Sequence, residues 1–471
     1  VTAANGVTGT RNTGGSPEGK PPGWKVVLAL ISLSLTALLW LNGLIASLNR
    51  PSVGNDLNRR QLELTVLAEP QLSGRLKPLL SGNQPQQELQ KAIEQEHIRA
   101  LEQGEAVGAD VALEQALLAQ RIAPEEATRR LTALAEQTGV EAEVARALLE
   151  TPSKRNADQV QELIAPLPQG GLLRVWSCDA LGGGSSCELE RIAERAALQL
   201  VLVTVLPFAL LLLGSATLVR ELWMQWRGKT MRAPVLQGPE LNGVDVVLLI
   251  AGGFVVVGEL LSPLLVAPLL TAVLNGLAVV SPLRDGITVV CLYLTLMAGP
   301  LLILALLLKR QENGVLQFRW RPPLPSLQAA AKGFLMVLPL VSLVGWLQTH
   351  LWGEGGGSNP LLELVLNSHN IPALLCFGFT AVVLAPLFEE TLFRGTLLPV
   401  VGRRFGAAAG VLISAAVFAI AHLSLGELLP LLVLGIGLGW LRWNGGRLGS
   451  CVLMHALWNG LTFANLVVLG W

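Results

Sequence analysis

Long apolar runs without charge constrain this chain more than any other feature. Residues 26–48 run for 23 residues without a charged side chain, enough at about 1.5 Å rise per residue to cross a ~30 Å hydrocarbon core. Eight further apolar runs follow at 196–219, 246–270, 287–308, 333–347, 371–401, 407–425, 428–441 and 448–469. Backbone polar groups in lipid must bond within the protein, so the expected fold is all-α: a polytopic helical membrane protein. The composition agrees, with 51% hydrophobic and only 14% charged residues. Two boundaries stay open: the run at 428–441 is short, and 264–283 either extends the third span or forms a re-entrant piece.

The remainder of the chain differs in kind. Residues 1–25 are rich in Gly, Pro, Thr and Asn without an apolar period, and read as a disordered N-terminal tail. The first run, 26–48, is too long for a signal-peptide core and lacks a small-residue cleavage site after it, so it reads as a retained anchor. Residues 49–195 are dominated by Glu, Gln, Ala, Leu and Arg with apolar residues at helical spacing, and predict an inserted, mainly helical soluble domain. Helix starts are expected at Pro124, followed by two acids, and at Asn156. Residues 196–332 are then transmembrane helices and loops, and 333–471 a second group of spans.

Basic residues set the orientation. With the N-terminus cytoplasmic, the cytoplasmic segments collect Arg11, Lys20, Lys25, Arg220, Arg227, Lys229, Arg232, Lys309, Arg310, Arg319, Arg321, Lys332, Arg403, Arg404, Arg442 and Arg447, while the short outer loops hold only Arg284. Residues 49–195 are therefore expected outside the cytoplasm. An oxidising compartment there would permit a Cys178–Cys187 disulfide, whereas Cys291, Cys376 and Cys451 lie in apolar runs and behave as small hydrophobes. Net charge is zero, so no global field argues for a nucleic-acid partner.

Chemistry concentrates near the C-terminus. Between 371 and 471 there are eight charged residues; five fall in loops, and Glu389, Glu390 and Arg394 fall inside a span, where each charge costs at least ~2.5 kcal/mol. Glu390 and Arg394 are i, i+4 and can offset each other, leaving Glu389 free for proton transfer. Glu389 lies 15 residues before Arg404 and His422 lies 18 after it, so an antiparallel hairpin puts both roughly 20 Å or more from the turn. His455 and Asn459 share a helix face about 12 to 18 Å from the same side, and Phe418 stands one turn from His422. Blander readings exist for each part alone. A single His is commonly an interhelical hydrogen bond, a Glu–Arg pair can be structural glue, and Glu259 can simply face a polar cavity. What favours chemistry is the shared depth of two carboxylates, an arginine, two imidazoles and an amide from three spans.

These residues also match a known pattern. EETLFRG at 389–395 resembles the EExxxR motif of CPBP membrane proteins, the group that includes the type II CAAX prenyl endopeptidases; FAIAH at 418–422 resembles its FxxxH motif, and HALWN at 455–459 its HxxxN motif. The resemblance covers roughly 333–471 and leaves the soluble domain unexplained. It implies an intramembrane peptidase in which Glu389 and His422 activate a water and His455 and Asn459 stabilise the oxyanion, with Glu390, Arg394 and Phe418 in support. No cofactor is required in that mechanism. Zinc on Glu389, His422 and His455 is the alternative, but His455 with Asn459 looks more like an oxyanion pair than a ligand set.

The expected function is hydrolysis of a peptide bond in a membrane-associated protein or peptide, with the lipid bilayer as surroundings. Prenylated substrates do not follow from the motifs, and nothing in the sequence specifies an oligomeric state. The main competing function is a non-catalytic membrane module that binds and stabilises a partner membrane protein. A transporter ranks below both, since no inverted repeat is visible.

Overall fold

The computed structural model describes residues 21–470 apart from 51–52, 73–75, 83, 103–107, 151–154, 168–170, 229–235, 310, 312–313, 354–356 and 358. Most of the expected N-terminal tail, residues 1–20, lies outside the described residues. Helices carry the fold, and no strand occurs among the described residues. Eight helices are long and apolar enough to cross a membrane: Gly23–Ser47, Gly184–Trp226, Gly243–Gly276, Leu283–Leu308, Pro323–Leu351, Ile371–Phe405, Leu428–Gly445 and Leu448–Gly470. The chain is a polytopic helical membrane protein.

The helices differ from the apolar runs at three places. The run at 264–283 is no re-entrant piece: Ser262–Gly276 continues directly from the preceding turns, giving one helix from Gly243 to Gly276. The short run at 428–441 continues to Gly445 and reaches span length. The run at 407–425 is shorter than its apolar stretch implied. Its helix, Ala407–Ala421, stops after 15 residues because His422 caps it and Leu423 turns to a positive φ of 51°, a conformation that ends a helix. Apolar composition continues through 425, but backbone geometry does not.

Both ends of the bundle are tied by polar side chains. At one end Lys25 pairs with Asp245 at 3.0 Å. There too Arg403 donates to the carbonyls of Gly238 and Pro239, and Arg447 to the carbonyl of Arg319. Arg442, fully buried, donates to the Arg394 carbonyl at 3.2 Å, the Gln317 side chain at 2.9 Å and the Gln237 carbonyl at 3.0 Å. A buried guanidinium is costly unless its donors are met, and here carbonyl-type oxygens meet them. Lys25, Arg403, Arg442 and Arg447 thus collect at a single end.

The opposite end carries the inserted helices. Those around Leu89, Ile93, Leu113, Leu117 and Trp176 share a buried apolar core, and a Cys178–Cys187 disulfide closes against it. Pro124–Ala135 starts on its proline, and Asn156 caps Ala157–Ile164 in a reciprocal bond with Gln159. Helix Val53–Ala68 joins these residues to the membrane bundle: Leu64 and Ala68 pack with Leu200, Leu374, Phe377 and Leu466, and Arg60 donates to Asn367 at 3.1 Å.

Candidate active site within the membrane

The segment carrying the acidic pair is irregular. Ala385–Leu392, an α-helical stretch, is flanked by two wider π-helical stretches, Thr380–Leu384 and Phe393–Leu397. Such insertions shift backbone carbonyls out of the regular ladder and frequently accompany functional sites. Glycines bring the neighbouring helices close to it. A Cβ at Gly435 would stand 3.0 Å from Ala415, and one at Gly410 would stand 2.6 Å from the Leu398 carbonyl, so only glycine permits these approaches.

Inside this frame Glu390 and Arg394 are fully buried and bonded at 2.9 Å. Arg394 also donates to the Gly435 carbonyl at 3.2 Å and lies 4.4 Å from the Phe418 ring centroid. Glu390 Oε1 has a second partner, His455 Nδ1, at 2.9 Å. With Nδ1–H donating to that carboxylate, a neutral His455 carries its lone pair on Nε2. Nε2 lies 3.9 Å from Glu389 Oε2, too far for a direct hydrogen bond but within reach of one bridging water. Glu389 Oε2 is buried without a hydrogen-bond partner, while Oε1 accepts from the Tyr293 hydroxyl at 3.0 Å.

The other expected residues stand around this centre. Phe418 is buried, with His422 edge-on at 4.7 Å and His455 edge-on at 5.7 Å between ring centroids, so one phenyl ring contacts both imidazoles. His422, at the helix end, has Nδ1 on the Phe418 carbonyl at 2.8 Å. Asn459 donates its amide to the Ala381 carbonyl at 2.8 Å, within the first π-helical stretch. The imidazole that meets Glu389 is thus that of His455, and His422 packs on the Phe418 ring. As placed, Glu389, His422 and His455 do not converge as zinc ligands: among the described residues no three His, Cys, Asp or Glu side chains gather into a group able to hold a metal ion.

The motifs did not point to Tyr293. It comes from Leu283–Leu308, well outside them, and its ring packs edge-on against Phe388 at 6.2 Å. One sequence signal was available: it is the chain's single tyrosine and sits mid-span. Glu259 is also partnered, accepting from the Trp40 indole at 3.1 Å.

A bundle of spanning helices enclosing buried carboxylates and imidazoles defines a membrane protein with a polar site at mid-depth. Residues 371–461 match the family model described as type II CAAX prenyl endopeptidase Rce1-like, and this part of the chain is a CPBP-family intramembrane-protease domain. A second model, described as a domain of unknown function (DUF8675), matches residues 54–198. No curated protein and no solved structure matches the chain.

Proposed function

We propose that the chain is an intramembrane endopeptidase that hydrolyses a peptide bond of a membrane-associated protein or peptide with water activated by Glu389. The observation that carries this reading is the buried, unpartnered Oε2 of Glu389 facing His455 Nε2 at 3.9 Å. A water held by both atoms gives its proton to Glu389 as its oxygen attacks the substrate carbonyl carbon. His422 shares the base work. The oxyanion that forms is met by the Asn459 amide, turned from the Ala381 carbonyl, and by His455 once its Nε2 has taken the attacking water's second proton. Glu389 then returns the proton to the leaving nitrogen as the C–N bond breaks. In this proposal residues 49–195 are a soluble extracytoplasmic domain, 196–332 supply transmembrane helices and loops, and 333–471 form the catalytic part.

A second reading, a non-catalytic module that stabilises a partner membrane protein, is favoured by the Asn459 amide being bonded within the fold. Glu389→Gln separates the two. The substitution is nearly isosteric, so partner binding survives it and peptidase activity does not. Membrane proteomes of null and Glu389→Gln cells are the comparison to make. A peptidase leaves the same proteins accumulating uncleaved in both, whereas a binding module leaves the variant like wild type.

A further inference from the structure

The family match begins at residue 371, yet one hydrogen bond to the proposed base comes from the preceding spans. Tyr293 lies in Leu283–Leu308, 96 residues before Glu389, and donates to Oε1 at 3.0 Å. A phenol in a span must place its hydroxyl on a protein acceptor, because lipid offers none. Its ring is fixed by the edge contact with Phe388, the residue next to Glu389. Close helix packing sets the approach: a Cβ at Gly286 would stand 3.1 Å from the Ala373 Cα.

The consequence concerns the two carboxylate oxygens. A free carboxylate rotates about its last torsion, which is broad and roughly two-fold. The Tyr293 hydroxyl engages Oε1, and the oxygen left over is the one that faces His455 Nε2. We infer that Tyr293 is a positioning residue: it fixes the Glu389 carboxylate so that Oε2 points at the water-binding gap. This rests on the proposed role of Glu389 as base. The span Leu283–Leu308 is then part of the catalytic apparatus rather than a separate membrane anchor.

The test is Tyr293→Phe, which deletes the hydroxyl and keeps the ring against Phe388. Three readouts, the last of them melting temperature, are taken on purified full-length protein in phosphatidylcholine nanodiscs. The first is turnover of quenched fluorescent peptides selected from a random library on the wild-type protein. The second is labelling of Glu389 by dicyclohexylcarbodiimide, a lipid-soluble carboxyl reagent, followed by peptide mass spectrometry. The expected result is a kcat lower by roughly 10- to 100-fold, the worth of one hydrogen bond to a charged group, with KM and melting temperature unchanged and Glu389 labelled several-fold faster. Unchanged kcat and labelling overturn the inference, as does a lowered melting temperature with both unchanged, which assigns Tyr293 to packing alone. Full activity in Glu389→Gln overturns the role of Glu389 as base instead. If no library peptide is cleaved, faster labelling in Tyr293→Phe still supports the positioning contact and equal labelling overturns it.

Discussion

Glu390 Oε1 and His455 Nδ1 lie 2.9 Å apart across 65 residues of chain, and this bond connects the acidic pair to the last helix. Glu390 is therefore more than the partner of Arg394. By holding Nδ1 it aims the opposite nitrogen of the imidazole at Glu389. An acid that orients a histidine through its remote nitrogen is a common support for proton transfer.

That arrangement separates the effects of substitution. Glu389→Gln and His422→Ala are expected to abolish turnover while the protein still folds and inserts, because proton transfer is lost and packing is kept. Asn459→Ala is expected to leave a remnant, since one oxyanion donor contributes about 10² to 10³ in rate. Steady-state turnover of the three purified variants checks this. Full activity in both Glu389→Gln and His422→Ala would show the site to be wrong.

The sequence made the site legible where charge and depth coincided. Glu389, Glu390 and Arg394 stand out because charges in a span need partners, and the i, i+4 spacing named the pair that the structure bonds. Helix rise alone put His422 and His455 near the same level, but rise carries no azimuth, so it could not tell which imidazole meets Glu389. Tyr293 was hidden because its link to Glu389 depends on how two distant helices pack. The end of the helix at Ala421 was hidden because Leu423 and Leu425 continue the apolar run while the backbone turns.

Arg394→Ala should act differently from the catalytic substitutions. Glu390 and Arg394 are both fully buried, and removing the cation leaves Glu390 without its charge partner at a cost of ~3 to 5 kcal/mol. Expression level and melting temperature in detergent should fall together with activity. A variant that keeps wild-type stability while losing activity would move Arg394 from support into the chemistry.

Topology follows from the end at which basic loops gather. Reporter fusions at Gly228, Gly314 and Arg404 are expected to read as cytoplasmic, and fusions at Glu136 and Asn367 as the opposite side. A cytoplasmic signal at Glu136 would invert the orientation and place the Cys178–Cys187 bond in a reducing compartment.

The inserted helices should lose stability as pH rises towards neutrality. Arg59 bonds three carboxylates, Glu63 at 2.9 Å, Glu96 at 3.0 Å and Glu114 at 2.6 Å. Burial, with Glu63 as a like-charged neighbour, pushes Glu114 from 4.5 up to about 7. Between those values the folded state holds a proton that the unfolded chain has released, so folding weakens as pH rises through that window. The melting temperature of the full-length protein, followed by loss of the inserted helices, should fall from pH 5 to pH 8, and Glu114→Gln should flatten the fall. A wild-type profile that rises across the same range would contradict the protonated Glu114.

Chelation tests the remaining choice of mechanism. A catalytic zinc needs three protein donors aimed at one point with a fourth position open. Here His422 Nδ1 is on the Phe418 carbonyl, His455 Nδ1 is on Glu390, and the described donors form no metal-binding group. Turnover of the library-selected peptides is therefore expected to persist after treatment with 1,10-phenanthroline and to vanish in Glu389→Gln. Metal content of the purified protein, measured by mass spectrometry, should stay well below one zinc per chain. Activity lost with the chelator and restored by zinc, together with stoichiometric zinc that disappears in His422→Ala, would replace the Glu389-activated water with a metal-bound one, and would require His422 and His455 to converge with Glu389 in the active enzyme.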